Sequence, residues 1–178
     1  VELDANGAAS RIAVDATITT TSGQINVLAD DHVTMGAAGR ILSSSGNVTV
    51  TADAHNRTGG GIHMADGALI DAGRGRVALA ADEDVLLARL ASTTLVTVNS
   101  DRGGIVDNGD TGGANIRAAE AALLASRGIG SQNTLETAVG TLAARNSTAG
   151  NIRILNQTGG ELVMTSLGIT GALALNPL

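Results

Sequence analysis

The sequence predicts an all-β fold, a right-handed parallel β-helix (β-solenoid) with about three short strands in each coil. Three observations predict it: a glycine-led strand motif that repeats, a composition with no bulky aromatic side chains, and a body almost free of proline. The chain has 178 residues, which is enough for one domain with its own core. We therefore expect residues 1–178 to form a single β-helix domain, as a fragment of a much larger protein.

The repeated motif consists of glycine, a polar residue, and apolar residues at alternate positions. It reads GQINVLA from Gly23, GNVTVTA from Gly46 and GRVALAA from Gly75. Alternation with a period of two is typical of a strand with one buried face. The predicted inward-facing side chains are those of Ile25, Val27, Val48, Val50, Val77 and Leu79.

Two further strands are expected after each copy of the motif. The second strand is predicted at Val33 to Met35, Ile62 to Met64 and Val85 to Leu87. A third, weaker strand is predicted near Ile41, Leu69 to Ile70 and Leu90.

The spacing of the motif sets the size of one coil. The copies lie 23 and then 29 residues apart, counted from Gly23 to Gly46 and on to Gly75. One coil cannot bury its own apolar face, so several must stack. At roughly 20 to 25 residues per coil we expect about seven or eight coils, forming a rod about 35 Å long. A leucine-rich repeat is the main competitor at this period, but it requires a fixed leucine ladder, whereas the inward positions here vary among apolar residues.

The composition fits a narrow interior. Phe, Tyr, Trp, Cys and Lys are all absent, Gly occurs 24 times, and the one proline is Pro177. Small aliphatic side chains must fill the core, which suits stacked narrow coils better than a wide core. A body without proline suits continuous ladders, because proline cannot donate a backbone hydrogen bond.

Charge and hydropathy exclude several functions. The net charge is −6, and no aromatic platform is present, so we expect no nucleic-acid partner. No run of 18 apolar residues occurs, so we expect no membrane insertion. No charged n-region with an apolar h-region is visible, so we expect no signal peptide, and the absence of cysteine rules out a disulfide framework.

The segment from Arg117 to Ile154 has two interpretations. Its first half is rich in good helix formers, and Leu135, Val139 and Leu142 have the spacing of a helix face. However, glycine-containing turns interrupt it within about a dozen residues, and its flanks resemble the strand motif. We favour strands; a helix here would cap or interrupt the solenoid and lower the coil count.

The strand interpretation assigns this segment to positions in the coil. ANIRAA (residues 114–119) and GNIRIL (residues 150–155) resemble GNVTVTA, which places Ile116 and Ala118 as inward residues of a first strand. Ala122 to Ala125 is then the second strand, and Gly128 to Gly130 the turn after it.

Few residues suggest a catalytic or metal-binding role. His32, His55 and His63 are expected as solvated residues of the outer surface, although stacking could bring two of them together. The acidic clusters Asp30–Asp31 and Asp82–Asp84 occupy the same turn of the repeat and are expected to lie on one side of the rod.

Calcium is the only metal that the sequence suggests. It prefers several oxygen ligands, and the weak candidates are Asp107 and Asp110 in the DNGD loop. The nonapeptide calcium repeat is absent, so we expect no cofactor and no metal.

Two loops interrupt the regular coil and are the predicted binding loops. They span residues 54–61 and 106–113, and their candidate contact residues are Asn56, Arg57, Asn108 and Asp110. Parallel β-helices also include polysaccharide-cleaving enzymes, but here no carboxylate pair stands out and no aromatic platform exists. We therefore expect no enzyme.

Several segments resemble the repeat regions of filamentous-haemagglutinin-like adhesins, which are very large bacterial surface and secreted proteins. The resemblance is carried by GIGSQNTLETAVGTLAARNSTAGNIRILNQTG (residues 128–159), GQINVLADDHVTM (23–35), GGGIHMADGALIDAGRGRVALAADEDVLL (59–87) and LVTVNSDRGGIVDNG (95–109). It covers nearly the whole chain and implies a right-handed parallel β-helix that displays or spaces binding regions outside a bacterial cell. The secretion-domain motifs of that family are not visible.

The leading hypothesis is a structural and adhesive β-solenoid module, extracellular or on the bacterial cell surface. Its expected partner is a host-cell or matrix surface, or another copy of the chain stacked end to end, because the outer coils present unpaired strand edges. The alternatives are a polysaccharide-binding or polysaccharide-cleaving β-helix, and a calcium-stabilised surface-layer or matrix component.

Overall fold

The computed structural model describes residues 1–55, 59–109 and 113–166, and these residues form a β-solenoid of about seven coils. They contain no helix, and therefore none long and apolar enough to cross a membrane. The strands, in chain order, are β1 (Glu2–Ala5), β2 (Ile12–Val14), β3 (Thr17–Thr20), β4 (Ile25–Ala29), β5 (Val33–Met35), β6 (Arg40–Ser43), β7 (Val48–Ala52), β8 (Ile62–Met64), β9 (Leu69–Asp71), β10 (Val77–Ala81), β11 (Val85–Leu87), β12 (Arg89–Ala91), β13 (Leu95–Ser100), β14 (Ile105–Asp107), β15 (Ile116–Arg117), β16 (Glu120–Ala125), β17 (Leu135–Ala138), β18 (Thr141–Asn146), β19 (Ile154–Asn156) and β20 (Val163–Met164).

Three parallel sheets run along the rod, and each full coil contributes one strand to each sheet. The first sheet has the order β1-β4-β7-β10-β13-β16-β18-β20, the second β14-β11-β8-β5-β2, and the third β19-β17-β15-β12-β9-β6-β3. Single bridges at Ile129 and Ile152 continue the second sheet into the last two full coils. This arrangement confirms the predicted fold class.

The register confirms the strands predicted from the repeat. Val48 pairs with Ile25 on one side and with Val77 on the other, so the three copies of the motif lie directly above one another. Coil length nevertheless varies, from 19 residues between Val77 and Val96 to 29 between Val48 and Val77. The turns absorb this variation, because the ladder itself permits no slip.

The glycine of the motif is required by the stacking itself. A Cβ on Gly46 would lie 2.1 Å from the carbonyl oxygen of Gly23, and a Cβ on Gly75 would lie 2.2 Å from that of Gly46. At Gly46 and Gly75 the backbone therefore approaches the previous coil too closely for a side chain, whereas the equivalent positions of the next two coils are Thr94 and Ala119. This contact gives a physical reason for the recurrence of the residue in the sequence.

The core is a set of ladders of small aliphatic side chains. The six predicted inward residues are fully buried, as is a neighbouring column of alanines made by Ala29, Ala52 and Ala81. Burying a valine or leucine stabilises the fold by roughly 1.5–3 kcal/mol relative to leaving it exposed. A narrow interior therefore obtains its hydrophobic stabilisation without aromatic residues.

The segment from 117 to 154 forms strands, which confirms the favoured interpretation. Leu135 lies in β17 and Leu142 in β18, and both are buried, as is Val139 between them. Their spacing of four and three residues arises because β17 ends and β18 begins around Val139, so the chain turns a corner there. The spacing that resembles a helix face therefore arises from the ends of two strands and the turn between them.

The assignment of these strands to sheets was wrong by one position. Ile116 lies in β15 of the third sheet, and Ala122 to Ala125 belong to β16 of the first sheet, not to a second strand. Ala118 is partly buried in the turn between them, and Ile129 is a buried member of the second sheet and not part of a turn. The error has a simple cause: strands of all three sheets begin with the same alternation, so the motif does not identify its sheet.

The GNIRIL segment shows the same displacement. Ile152 bridges to Ile129 in the second sheet, and Ile154 begins β19 in the third sheet. Neither residue belongs to a strand of the first sheet, where the resemblance to GNVTVTA had placed this segment.

Both predicted loops contain insertions at corners, although Val106 and Asp107 belong to β14 and not to the second loop. Three residues, 30–32, connect β4 to β5, whereas nine, 53–61, connect the equivalent strands β7 and β8. One residue, Ala88, connects β11 to β12, whereas eight, 108–115, connect β14 to β15. The ladders continue in register on both sides of each insertion.

Candidate functional site

The turns between the first and second sheets gather most of the ionisable side chains that the sequence analysis singled out. We call this edge of the rod, made of residues 30–32, 53–55, 59–61, 82–84 and 101–104, the first corner. The register stacks His32, Gly61 and Asp84 in adjacent coils, since each directly precedes a residue of one ladder, Val33, Ile62 or Val85. This stacking confirms that the two acidic clusters lie on the same side of the rod.

Three glycines separate the acidic clusters. Gly59, Gly60 and Gly61 are the part of the middle coil that lies between Asp30–His32 and Asp82–Asp84, and all three glycines are buried. A Cβ on Gly60 would lie 2.1 Å from the carbonyl oxygen of Asp31, and Gly59 has a φ of 82°, a left-handed conformation that favours glycine. Because these three residues have no side chains, side chains from the coils below and above can meet across them.

The first pair in the corner joins Asp30 and His55. The Asp30 carboxylate is fully buried, contacts Nδ1 of His55, and accepts a hydrogen bond from the backbone of Gly7 at 2.8 Å. Nδ2 of Asn6 lies 3.4 Å from Nε2 of His55. A proton on Nδ1 and a lone pair on Nε2 satisfy both contacts.

The second pair joins Asp31 and His32. The Asp31 carboxylate contacts Nδ1 of His32 and accepts a hydrogen bond from Nε of Arg11 at 2.7 Å. Burial raises the pKa of Asp31, but the hydrogen bonds from Arg11 and His32, and their charges, outweigh it and leave the pKa below its ordinary value. The carboxylate is therefore held in its charged form.

His32 also reaches across the glycine coil. Its Nε2 lies 3.8 Å from Oε2 of Glu83, two coils away, and its ring lies edge-on to that of His63, with 4.9 Å between ring centroids. Burial lowers the pKa of His63, and the charge of His32 lowers it further, while Asp84 and Glu83 oppose the shift more weakly. His63 therefore favours the neutral form.

Carboxylates also connect the coil that contains Asp82 and Asp84 to the next coil. Nε of Arg102 donates to Oδ1 of Asp82 at 2.7 Å, and the guanidinium makes a second contact with the other oxygen. The hydrogen bond to Asp82 and its charge raise the pKa of Arg102 further above neutrality. Oδ1 of Asp84 accepts a hydrogen bond from the backbone of Gly104 at 2.7 Å. Carboxylates of one coil thus bind donors of the next.

The chemistry available to the first corner is proton binding. Each of two imidazoles is oriented by a buried carboxylate, which is the arrangement that positions a general base. Within residues 1–55, 59–109 and 113–166, no three His, Asp or Glu side chains are placed to share a metal ion. Asp53, which is 2% exposed and has a φ of 58°, adds a further buried carboxylate to the corner.

The three histidines depart in part from the prediction of solvated outer residues. His55 is exposed, but His32 and His63 are half-buried, and each has specific partners. Coil stacking does bring two histidines together, His32 and His63, which the sequence left as a possibility.

The predicted calcium and loop residues lie at a different corner, between β14 and β15. Asp107 is 5% exposed; Oδ1 accepts hydrogen bonds from Nδ2 of Asn115 at 2.6 Å and from the backbone of Gly109 at 3.0 Å, and Oδ2 accepts one from Nδ2 of Asn133 at 2.6 Å. Both carboxylate oxygens therefore already serve the packing of the β14–β15 turn and of the next coil.

Asn108 is the one predicted contact residue within the described part of the chain. It is exposed, but its Nδ2 donates to the carbonyl oxygen of Met64 at 2.7 Å, so part of its side chain stabilises the coil stack. Asn56, Arg57 and Asp110 lie outside the described residues, as does Pro177.

Sequence reasoning missed the arginines that bind carboxylates of the first corner. Arg11 lies 20 residues before Asp31, and Arg102 lies 20 residues after Asp82, which is about one coil in each case. A search for opposite charges one coil apart would have found both pairs. It would not have found the role of Gly59–Gly61, because the neighbours of that coil depend on where the six extra residues are accommodated.

In comparisons with known proteins, no family model, no curated protein and no solved structure matches this chain.

Proposed function

We propose that the chain is a rigid stalk or fibre module of a bacterial surface or secreted protein, and that it displays binding loops and acts by contact, not catalysis. The observation that carries the proposal is the continuity of the ladder through two insertions. Six extra residues enter between β7 and β8, yet β10 pairs with β7 in the same register that β7 keeps with β4. The rod therefore carries loops of variable length without a change in its core.

The surface for contact lies at the two corners where the insertions emerge. The loop at 53–61 leaves the first corner, where the fixed carboxylates and imidazoles surround its base. The loop at 108–115 leaves the opposite end of the second sheet. A host-cell or matrix surface is the proposed partner. The resemblance to filamentous-haemagglutinin-like adhesins supports an extracellular or cell-surface location.

The test replaces each loop with the shortest connection that the same rod already uses. Residues 53–61 are shortened to the three glycines 59–61, a connection as long as residues 30–32, and residues 108–115 are exchanged for a single alanine, as at Ala88. Binding is measured to epithelial-cell monolayers and to immobilised fibronectin, collagen and mucin. Circular dichroism and a thermal melt verify that each variant keeps its fold.

The proposal predicts that the parent chain binds at least one of these surfaces and that the double replacement removes the binding. Loss of binding in only one single replacement would assign the contact to that loop. A folded double variant that binds as the parent does would contradict the role of the loops. A parent chain that binds none of the surfaces would contradict the adhesive role.

Self-association by end-to-end β-stacking is a second proposed interaction, and the outer coils favour it. Within the described residues, β1 pairs only with β4 and β20 only with β18, so each of these strands has an unpaired edge. Four large apolar side chains in the last coils are exposed: Ile152, Leu155, Val163 and Met164.

Sedimentation velocity at increasing protein concentration tests this interaction. A rise in sedimentation coefficient, together with elongated particles by electron microscopy, is expected. The double change Val163→Asp and Met164→Asp should keep the chain monomeric. A chain that stays monomeric at all concentrations would contradict the stacking proposal but would leave the display proposal unaffected.

A further inference from the structure

A small pocket lies on the outer face of the first sheet, where β13, β16 and β18 end. It has a volume of about 210 Å³ and contains none of the three histidines. Its lining includes Asn99 and Asp101 from one coil, Leu124 from the next, and Arg145 and Ser147 from the third. We call it the Asn99 pocket.

Asn99 has a buried acceptor without a partner. The residue is only 7% exposed, and its Oδ1 is buried with no hydrogen bond. Its Nδ2 donates to Oδ1 of Asp101 at 2.8 Å. Because a charged carboxylate only accepts hydrogen bonds, a flipped amide would bring two acceptors together, so the amide orientation is fixed. A buried acceptor of this kind is unfavourable until a donor reaches it.

The opposite wall of the pocket has a free donor. The register aligns Asn99, Leu124 and Arg145 in consecutive strands, which places the backbones of Asn99 and Arg145 about 10 Å apart. Arg145 is exposed and makes no hydrogen bond or ion pair with any residue that the structure describes. Between them the half-buried side chain of Leu124 provides an apolar floor.

These groups define the chemistry of a ligand. Oδ1 of Asn99 and the Asp101 carboxylate lie side by side and require two neighbouring donors, whereas Arg145 requires an acceptor. Hydroxyl groups both donate and accept hydrogen bonds. The charges of Asp101 and Arg145 balance, which favours an uncharged ligand. The volume lies below the roughly 300–1,000 Å³ of pockets for drug-sized molecules.

We propose that the Asn99 pocket binds a neutral ligand with two adjacent hydroxyl groups, either one ring of a carbohydrate or an acyclic polyol. One hydroxyl donates to Oδ1 of Asn99 and its neighbour donates to Asp101. The C–H face of the ligand packs on Leu124, and Arg145 donates to a further oxygen. The pocket uses neither of the two insertion loops, so it does not depend on the display role proposed above.

A nuclear magnetic resonance titration of the ¹⁵N-labelled chain tests the proposal. The probes are D-glucose, D-galactose and D-mannose as rings, glycerol as the acyclic polyol, and n-butylamine as a simple cation. A ligand of this size is expected to bind with a dissociation constant of about 1 mM. Saturable shifts are expected at the side-chain amide of Asn99 and at Nε–H of Arg145.

The source of the ligand follows from which probe binds. Saturation by a sugar but not by glycerol assigns a carbohydrate ring, and saturation by glycerol assigns an acyclic polyol. Saturation by butylamine alone would overturn the proposal in favour of a cation site. The absence of a saturable shift at Asn99 with every probe would mean that solvent alone occupies the pocket, and would also overturn it.

Variants assign the binding to these residues. Asn99→Leu removes the buried acceptor and should weaken binding about tenfold, the equivalent of one hydrogen bond. Arg145→Gln and Asp101→Asn change exposed side chains and should weaken binding about three- to tenfold while leaving the fold intact. Arg153→Gln, at another exposed arginine of the same coil, is the matched control.

Unchanged affinity in both Arg145→Gln and Asp101→Asn would contradict the proposal even if Asn99→Leu failed to fold. An equal loss of affinity in Arg153→Gln would point to a nonspecific surface effect and would also overturn it.

Discussion

Replacing Gly60 with alanine tests whether the bare coil of the first corner is a packing requirement. The added Cβ would lie 2.1 Å from the carbonyl oxygen and 2.6 Å from the carbonyl carbon of Asp31, both of which are backbone atoms. Since real Cβ atoms essentially never approach closer than 3.0 Å, the two coils must separate by about 0.9 Å at this point. A flexible side chain cannot relieve the contact, because none is involved.

The expected loss of stability follows from that separation. Overpacking of this kind costs about 1–3 kcal/mol. The movement also strains two backbone hydrogen bonds, from Asp53 to Asp31 at 3.3 Å and from Glu83 to Gly60 at 3.0 Å, which contribute about 0.5–1.5 kcal/mol each. We expect the free energy of unfolding to fall by about 2–4 kcal/mol, which lowers the melting temperature by about 5–15 °C for a chain of this size.

The assay combines a calorimetric melt with hydrogen exchange, and Gly159→Ala is the control. A Cβ on Gly159 would have no atom within 4 Å, so that substitution should leave the melting temperature unchanged or raise it slightly. In Gly60→Ala, the amides of Asp53 and Glu83 should exchange faster than in the parent. A melting temperature of Gly60→Ala within about 1 °C of the parent would refute the close approach of these coils.

Three further predictions concern the corner, the core and the buried asparagine network. Folding lowers the pKa of both His63 and Asp31, so each group contributes stability that is present above its unfolded pKa and is lost on acidification. The melting temperature should therefore fall in two steps, one below about pH 6.5 from His63 and one below about pH 4 from Asp31. His63→Gln should remove the first step. Asp107→Ala removes the acceptor of three hydrogen bonds and should lower the free energy of unfolding, measured in urea, by about 2–4 kcal/mol. A melt of the parent with calcium or with a chelator should match the untreated parent, since both carboxylate oxygens already accept hydrogen bonds. Leu79→Ala, at a fully buried side chain, should cost about 2–5 kcal/mol, whereas Leu86→Ala on the outer face should cost less than half as much; equal losses would contradict the assignment of faces.

The sequence alone predicted the fold in detail where the repeat was regular. Period-two alternation and a glycine at each motif start are local signals, and both follow from contacts between equivalent positions of adjacent coils. Gly46 and Gly75 are glycine because the carbonyl oxygen of the previous motif glycine lies too close for a side chain. For this reason the strands β4 to β12 could be placed within a residue or two.

The same signals failed to identify the sheet to which later strands belong. Ile116, Ile129 and Ile152 all follow a similar pattern, but the first lies in the third sheet and the other two lie in the second. A change in the length of one turn changes the sheet to which every later strand belongs. It leaves the alternation of apolar and polar residues within those strands unchanged. Assigning each strand therefore required the hydrogen-bonded register.

The sequence by itself determined that this chain stacks coils around a narrow aliphatic core, because alternation and glycine spacing depend on nearest neighbours. Only the tertiary structure decided which side chains meet at the first corner. His32 approaches Glu83 because three glycines lie between them, and the register places those glycines there because they directly precede Ile62 of the ladder. His32 and Glu83 are 51 residues apart in the sequence. The sequence cannot predict their contact, because the contact depends on how each turn between them accommodates its length.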